Sequence, residues 1–226
     1  MSNSSQAIVL MSGGQDSTVC LAWALKTYDE VITVGFDYGQ THRVEMQCRV
    51  RVLARLHPGG EDHVLQLPIL NEISETALTG DMEIFMQENG LPNTFVPGRN
   101  ILFLTTAAML AYRKGISELV TGVCETDYSG YPDCRDAFVK SMTASLSAGM
   151  DTPIHIRTPL MFIDKAATWA LAYEIGGQEL IDLIIEETHT CYRGTRDELH
   201  SWGYGCADCP ACDLRQRGYE HWATTR

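Results

Sequence analysis

The residues best suited to chemistry stand near the start of the chain, in the string Ser12-Gly13-Gly14-Gln15-Asp16-Ser17. A short apolar run, Ala7 to Met11, precedes this string, and a helical pattern from Ser17 to Thr27 follows it. Two glycines at a strand-to-helix junction permit a sharp bend that exposes backbone N–H groups in front of a helix N-terminus. Serine hydroxyls, with that of Thr18, add further donors. The string therefore predicts a cradle for a pyrophosphate group.

The glycines of this phosphate loop are not followed by the lysine of a G-x-x-x-x-G-K-[ST] loop, which argues against γ-phosphoryl chemistry of that class. Asp16 would repel a phosphate unless it binds Mg²⁺ or ties the loop to its neighbours, and the sequence leaves both roles open. A Gly-Gly pair alone is equally typical of a tight turn. The complete string at this junction is far more specific.

A second reactive group, Cys191, Cys206, Cys209 and Cys212, has the spacing C-x14-C-x2-C-x2-C. Four thiolates suit tetrahedral Zn²⁺, with an iron–sulfur cluster as the lesser choice. They would complete the coordination shell, so the metal would be structural. Buried or redox cysteines are the alternative. The surrounding glycine- and proline-rich segment is, however, poor in core-forming residues, so it needs a bound metal to stabilise its fold.

Composition limits the possible classes of protein. The 226 residues, 45% of them hydrophobic, suffice for one sizeable core with a small appendage. A net charge of −12 argues against a nucleic-acid partner. No apolar stretch approaches a membrane span, and Met1 to Gln6 lacks signal-peptide features, so we expect a cytoplasmic location without membrane contact. Thiols stay reduced there, and Cys20 and Cys48 are expected to be buried as small apolar residues.

Apolar runs alternate with helical patterns, which predicts an α/β fold with a doubly wound parallel sheet. Asn100 and Asp164 occupy N-cap positions, and Gly115 and Gly176 are helix stop signals. We expect an α/β domain over 1–187 and a strandless metal-binding tail over 188–226. The predicted strands are Ala7 to Met11, Val31 to Phe36, Val64 to Leu67, Leu119 to Val123 and Ile154 to Thr158; the predicted helices are Ser17 to Thr27, His42 to His57, Ile101 to Lys114, Asp136 to Ser147 and Lys165 to Ile175.

The phosphate loop resembles that of the pyrophosphatase-loop family of ATP-dependent synthetases and thiolases. The resemblance implies an adenine nucleotide alpha hydrolase-like, Rossmann-like fold that grips the β,γ-pyrophosphate while a substrate oxygen attacks the α-phosphate. It also implies ATP and Mg²⁺ as cofactors. The nucleotide-binding residues implied are Met11, Ser12, Gly13, Gly14, Gln15, Asp16, Ser17, Thr18, Val19, Cys20 and Leu21, with Asp37 and Tyr38 near the nucleoside.

Four further stretches carry a more specific resemblance: Phe36 to Gln40, Phe95 to Asn100, Gly122 to Arg135 and Thr158 to Leu160. They make the chain similar to the 7-cyano-7-deazaguanine synthase family of queuosine biosynthesis over nearly its whole length. This resemblance implies a ligase that converts 7-carboxy-7-deazaguanine, ammonia and ATP into the nitrile, and it implies a homodimer. The Gly194 to Trp202 segment makes the first cysteine gap longer than the family's pattern.

The implied chemistry places negative charge at an α-phosphate, where cations would stabilise the transition state. Arg99 and Lys165 are the candidates, together with Asp16 as a catalytic or tying acid. Arg99 could instead be a surface charge before a helix. Lys165 could be an ordinary first-turn residue, although a helix N-terminus disfavours a cation.

The guanine face of the implied substrate offers two adjacent donors, N1–H and the exocyclic amine, which a carboxylate accepts together. Glu125 and Asp133 are the candidate acids, and Tyr128 and Tyr131 could stack on the ring. Alternatively, Asp133 caps the helix that follows and the tyrosines belong to the core. Rival functions are tRNA adenylation, transfer of the acid to a protein amine, and a noncatalytic ATP-binding module.

Overall fold

The central element of the computed structural model is a five-stranded parallel sheet in the order β3-β2-β1-β4-β5. The structure describes residues 5–39, 44–73, 76, 83, 85–88, 90–126 and 130–226. The strand order reverses beside β1, so a crevice opens at the carboxyl ends of β1 and β4. The strands are β1 Gln6–Leu10, β2 Glu30–Asp37, β3 Asp62–Gln66, β4 Glu118–Val120 and β5 His155–Arg157.

Helices cover both faces of the sheet, which confirms the predicted α/β class and its doubly wound arrangement. Helices α1, α2, α6 and α7 pack in one hydrophobic cluster, and α4 and α5 pack in the other. The helices are α1 Gln15–Thr27, α2 Val44–Leu56, α3 Ile69–Ile73, α4 Arg99–Lys114, α5 Asp136–Met150, α6 Lys165–Glu187 and α7 Pro210–Thr225.

Strand β1 shows why the two layers form. Ala7 and Val9 face the cluster of α1 and α6, whereas Ile8 and Leu10 face that of α4 and α5. Successive side chains of a strand point to opposite faces, so a continuous apolar run is buried on both sides. Cys20 and Cys48 are fully buried, as predicted.

Several predicted boundaries can be compared with the structure. The Asp164 side chain caps α6 by accepting a 2.8 Å hydrogen bond from the Ala167 N–H, and Gly115 ends α4 in the left-handed conformation, both as predicted. Asn100 is not an N-cap, because α4 already begins after Gly98. Gly176 does not end α6: the helical geometry breaks one residue later, at Gly177, and resumes to Glu187.

The cysteine-rich tail departs from the expectation that it has no strand. A short antiparallel pair, β6 Leu199–His200 and β7 Gly203–Tyr204, lies within the long cysteine gap, and α7 follows it. Helix α7 packs along α6, with Trp222 entering the main hydrophobic cluster. The division at 187 and 188 stays a prediction. Within the described part of the chain, no helix is long and apolar enough to cross a membrane.

Candidate functional site

A cavity of about 300 Å³ opens at the carboxyl ends of β1, β2 and β4, where the strand order reverses. The phosphate loop forms its floor, with Ser12, Asp16 and Ser17 in the lining. Helix α4 contributes Arg99, and the tail contributes His189 and neighbouring residues. Ligands of open α/β sheets bind at this position, so the cavity is the candidate site.

The phosphate loop is held by its own side chains. The Ser12 and Ser17 hydroxyls lie 3.1 Å apart, and the Gly13 N–H donates to Ser17 Oγ over 3.3 Å. Thr18 Oγ1 donates to the Gly14 carbonyl over 2.8 Å. Together these contacts fix a sharp turn in front of the α1 N-terminus, which is the arrangement that an anion cradle requires.

Three glycines permit the close packing around this loop. A Cβ on Gly13, whose φ is +101°, would lie 2.3 Å from the Glu45 carbonyl oxygen of α2. A Cβ on Gly122, after β4, would lie 3.1 Å from the Asp16 backbone. A Cβ on Gly14 would lie 3.3 Å from the His189 carbonyl oxygen. The loop is therefore enclosed by α2, the end of β4 and the tail.

Asp16 and Lys165 form an ion pair below the loop. Lys165 Nζ donates to Asp16 Oδ2 over 2.6 Å, and only 7% of the lysine side chain is exposed. Helix α7 holds the start of α6 in place, since a Cβ on Gly218 would lie 2.4 Å from Lys165 Cβ. Of the two roles left open for Asp16, tying the loop to a neighbour is the one with a visible contact.

Arg99 stands on the opposite wall, at the first position of α4. It is hydrogen-bonded to the Tyr38 side chain. Burial alone would lower the pKa of Arg99, but Tyr38, Tyr131, Asp133 and Cys134 raise it above its ordinary value, so the guanidinium stays charged. Arg99 therefore lines the cavity, whereas Lys165 lies outside the lining and is joined to it through its ion pair with Asp16.

An aromatic wall lies beside Arg99. Phe36 at the end of β2 stacks on Phe103 of α4, with ring centroids 4.3 Å apart and nearly parallel planes. Tyr38 packs against Phe103 at 5.6 Å, and Tyr131 is buried, with its hydroxyl 2.5 Å from Thr94 Oγ1. All four rings line the cavity, which makes this wall suitable for a flat heterocycle.

The two candidate guanine-reading acids lie outside the cavity lining. Glu125 Oε2 accepts a 3.1 Å hydrogen bond from the Asp136 N–H at the start of α5, and Glu125 is exposed. Asp133 Oδ2 accepts a 3.3 Å hydrogen bond from the Asn100 N–H at the start of α4. Tyr128 lies outside the described residues, and Tyr131 lines the cavity.

The predicted nucleotide-binding residues divide into three groups. Met11, Ser12, Asp16, Ser17 and Tyr38 line the cavity. Gly13 and Gly14 shape the loop, Gln15 and Thr18 are buried beneath it, and Asp37 ends β2. The remaining three, Val19, Cys20 and Leu21, lie in the hydrophobic core of α1. A direct contact between these three and a nucleotide stays a prediction.

The four tail cysteines converge as their spacing predicts. Their sulfur atoms all lie within 4.8 Å of one another, and Cys191 and Cys209 are 4.0 Å apart, as are Cys206 and Cys212. Four thiolates bound to one Zn²⁺ at about 2.3 Å would lie about 3.8 Å apart. The donor set and its spacing therefore fit a tetrahedral metal with no open coordination position.

His189 joins this cysteine cluster to the phosphate loop. Its N–H donates to the Gly13 carbonyl over 3.1 Å, and its ring Nε2 donates to the Cys191 carbonyl over 3.1 Å. Burial lowers the pKa of His189 to about 4, so the ring is neutral. Cys191 and Tyr192 line the same cavity as Ser12. The cysteine cluster therefore lies against the candidate site.

Sequence reasoning missed several lining residues, chiefly Glu45, Phe103, His189 and Tyr192. Glu45 carries a readable signal, because it is an acid in the first turn of a helix that follows the carboxyl end of β2. His189 lies two residues before Cys191, a predicted metal ligand. The sequence does not indicate, however, that the tail folds back onto the phosphate loop.

Comparisons with known proteins agree over almost the entire chain. Residues 6–223 match the family described as "Queuosine biosynthesis protein QueC". The chain is 62% identical over 221 residues to 7-cyano-7-deazaguanine synthase of Parvibaculum lavamentivorans, covering 95% of this chain and 94% of that protein. It is 58% identical over 224 residues to the synthase of a Bradyrhizobium species, covering 96% and 94%.

Two solved structures share the fold at low identity. A 4-thiouridine synthetase in complex with RNA and ATP superposes with a TM-score of 0.51 at 18% identity, over 97% of this chain and 54% of that one. A predicted tRNA methyltransferase subunit from Methanocaldococcus jannaschii gives a TM-score of 0.50 at 22% identity, over 75% of each chain. These structures show the fold alone, whereas the family match and the two curated relatives establish that the chain belongs to the QueC family of queuosine biosynthesis proteins.

Proposed function

We propose that this chain is an ATP-dependent ligase that converts 7-carboxy-7-deazaguanine and ammonia into 7-cyano-7-deazaguanine. The names of the relatives support this reaction. The observation that carries it is one cavity lined by the phosphate loop and Arg99 in front of the α1 N-terminus, with Lys165 paired to Asp16 of that lining. A homodimer, which the family resemblance implies, belongs to the same proposal.

The phosphate loop holds the leaving group in this mechanism. Its backbone amides and the Ser12 and Ser17 hydroxyls bind the β,γ-pyrophosphate of ATP at the helix N-terminus. No lysine follows the glycines to contact a γ-phosphate in transfer, so the bond that breaks lies between the α-phosphate and the pyrophosphate. The products of each activation are then pyrophosphate and an adenylate.

The two cations stabilise the charge that develops at the α-phosphate. Lys165 approaches from the phosphate-loop side, where its ion pair with Asp16 fixes the position of Nζ. Arg99 approaches from α4, where the Tyr38 side chain orients it. Fixed cations in a partly buried site lower the barrier because they do not have to reorganise during the reaction.

The reaction uses this site twice. First, a carboxylate oxygen attacks the α-phosphate, and pyrophosphate leaves; ammonia then attacks the acyl carbon, AMP leaves, and a proton is lost to give the amide. Next, the amide oxygen attacks the α-phosphate of a second ATP, and pyrophosphate leaves again. Loss of AMP and a proton from the imidoyl adenylate gives the nitrile, for a total of two ATP per product.

The proposed metals have separate roles. Cys191, Cys206, Cys209 and Cys212 would hold Zn²⁺, which would stabilise the fold of the tail, because four thiolates leave no place for substrate. Asp16, whose carboxylate lines the cavity at the phosphate loop, would hold Mg²⁺, which would supply positive charge beside the phosphates of ATP.

The test is mass spectrometry of the reaction of pure protein with 7-carboxy-7-deazaguanine, ATP and ammonium. We expect the nitrile, AMP and pyrophosphate. Ser17→Ala should slow the reaction by about 10²–10³, because it removes a pyrophosphate donor. Ser141→Ala, on the exposed face of α5, is the matched control and should leave the rate unchanged. Formation of ADP alone would contradict the mechanism.

A further inference from the structure

Glu45 is a carboxylate in the cavity that the proposed mechanism does not use. It lies in the first turn of α2, and its backbone carbonyl packs against Gly13 of the phosphate loop. The residue lines the cavity together with Tyr38 and Arg99. Glu45 therefore faces the cavity in which the proposed substrates would bind.

The Glu45 carboxylate has no hydrogen-bond partner in the described part of the chain; the charge of Arg99 is its one resolved favourable influence. Burial raises the pKa of this carboxyl to about 7, while Arg99 acts in the opposite direction. A partly buried acid without a hydrogen bond costs stability unless a ligand donates to it. The carboxylate is therefore placed to accept hydrogen bonds from a ligand in the cavity.

The other acids near the cavity are already engaged. Asp16 accepts from Lys165 over 2.6 Å. Glu125 and Asp133 accept backbone N–H groups at the starts of α5 and α4, and neither lines the cavity. Among the described lining residues, Glu45 and Asp16 are the two carboxylates, so Glu45 is the one not held by an ion pair.

The hydrogen-bonding groups of the possible ligands decide which of them the Glu45 carboxylate can bind. The guanine face presents two adjacent donors, which match the two oxygens of one carboxylate. The adenine of ATP presents one amine beside a ring nitrogen that accepts, and that nitrogen would face a carboxylate lone pair. The aromatic wall of Phe36, Phe103 and Tyr131 lies in the same cavity and offers a face for the ring.

We propose that Glu45 is the residue that reads the guanine face, by accepting hydrogen bonds from N1–H and the exocyclic amine of the deazaguanine substrate. The inference rests on the proposed function and names the specificity-determining acid of that site. It assigns to α2 the role that the sequence alone assigned to Glu125 or Asp133.

The experiment compares the substrate with its analogue that lacks the exocyclic amine, using both kinetics and direct binding by calorimetry. The wild-type protein should discriminate by about 10⁴, as sites built around paired donors do. In Glu45→Gln, kcat/KM and affinity for the natural substrate should fall by about 10²–10³, and discrimination should shrink to within about tenfold. The KM for ATP should stay within about threefold.

Two further variants keep this test decisive. Glu174→Gln, an exposed acid on α6, is the matched control and should keep both activity and discrimination. Glu45→Asp keeps the carboxylate but shortens its reach, so it should keep more discrimination than Glu45→Gln. It serves as the test of the proposal where Glu45→Gln does not fold. Thermal melting of each variant identifies such damage.

Three outcomes would overturn the proposal. Full discrimination by folded Glu45→Gln would remove the acid from the base-binding site. A rise in the KM for ATP alone would assign Glu45 to adenosine, and a change confined to the ammonium dependence would assign it to the nucleophile. Failure of the proposed function is separate, because the wild-type protein would then form no nitrile, while calorimetry still reports binding of the base.

Discussion

The parallel sheet and the cysteine-rich tail reach the same cavity but are stabilised differently. The sheet is buried between two large hydrophobic clusters, one on each face. The tail has a small cluster of its own, in which three of the five fully buried members are the cysteines 191, 209 and 212. Removal of the metal should therefore damage the tail far more than the sheet.

The two regions meet through a few directional contacts. His189 donates to the phosphate loop at Gly13, and Gly218 of α7 packs on Lys165. The buried Arg215 guanidinium of α7 donates to the Ile184 carbonyl over 2.9 Å and to the Trp202 carbonyl over 2.8 Å. These contacts place the tail at one wall of the candidate site. Substitutions can disrupt the tail, the sheet or the contacts that join them.

The largest effect is expected from loss of a metal ligand. Cys209→Ser should lose the single Zn²⁺ per chain and unfold the tail, because structural zinc contributes directly to folding. Cys48→Ala, at a buried cysteine outside the cluster, should retain the metal. Metal analysis and thermal melting check both variants. A Cys209→Ser protein with full zinc content and unchanged melting would remove the cluster from the account.

A large effect on rate is expected at Lys165, which joins the phosphate loop to α6. Lys165→Met should lower kcat by about 10²–10³, because it removes a cation proposed to act at the α-phosphate and breaks the ion pair with Asp16. Lys140→Met removes an exposed lysine paired with Asp136 and should not affect the rate. Single-turnover release of pyrophosphate measures the step. Equal rates in both variants would remove Lys165 from the proposed chemistry.

Close packing of the tail predicts a smaller loss of stability. Gly218→Ala should cost about 1–3 kcal/mol of unfolding free energy, because its Cβ would lie 2.4 Å from Lys165 Cβ. Gly149→Ala in α5 meets no atom within 4 Å and should be neutral or stabilise slightly. Urea unfolding compares the pair, and similar curves for the two variants would show that α7 can move away from α6.

The smallest effect is expected in the pH dependence of stability, through Glu45 of α2 in the cavity lining. Folding raises the pKa of Glu45 from about 4.5 to about 7, so the folded state binds more protons than the unfolded state between these values. Stability of the wild-type protein should therefore fall as pH rises from about 4.5 to about 7. Glu45→Gln has no carboxyl group to titrate, so it lacks this loss. The free energy of unfolding of the variant, relative to that of the wild type, should therefore be about 1–2 kcal/mol higher at pH 8 than at pH 4. Parallel pH profiles for the two proteins would contradict the burial of a charged Glu45.

The difference between the regions also explains what the sequence could predict. All five strands of the parallel sheet and helices α1, α2, α4, α5 and α6 follow from apolar runs and helical spacing, since the hydrophobic core is set by local pattern, whereas α7 was not predicted. The four metal ligands follow from their spacing. The path of the tail back to Gly13 does not, because it depends on tertiary contacts such as the His189 hydrogen bond and the packing of Gly218 on Lys165.

The acid that we propose to read the base illustrates a second limit of the sequence. Glu125 and Asp133 lie in a loop at the expected edge of the sheet, but backbone N–H groups at two helix starts already occupy their carboxylates. Glu45 belongs to a helix whose pattern predicts only an amphipathic element. Which acid is left with no hydrogen-bond partner is decided by tertiary contacts, and these are not visible in local spacing.

The most direct test of the tail as a wall of the active site combines hydrogen exchange with ATP binding, before and after zinc is removed by chelation. We predict that the His189 amide, bonded to the Gly13 carbonyl, loses protection together with the phosphate loop, and that the affinity for ATP falls by at least about tenfold. The amides of β2 should remain protected. Unchanged ATP affinity and unchanged protection of the His189 amide in the metal-free protein would contradict the account.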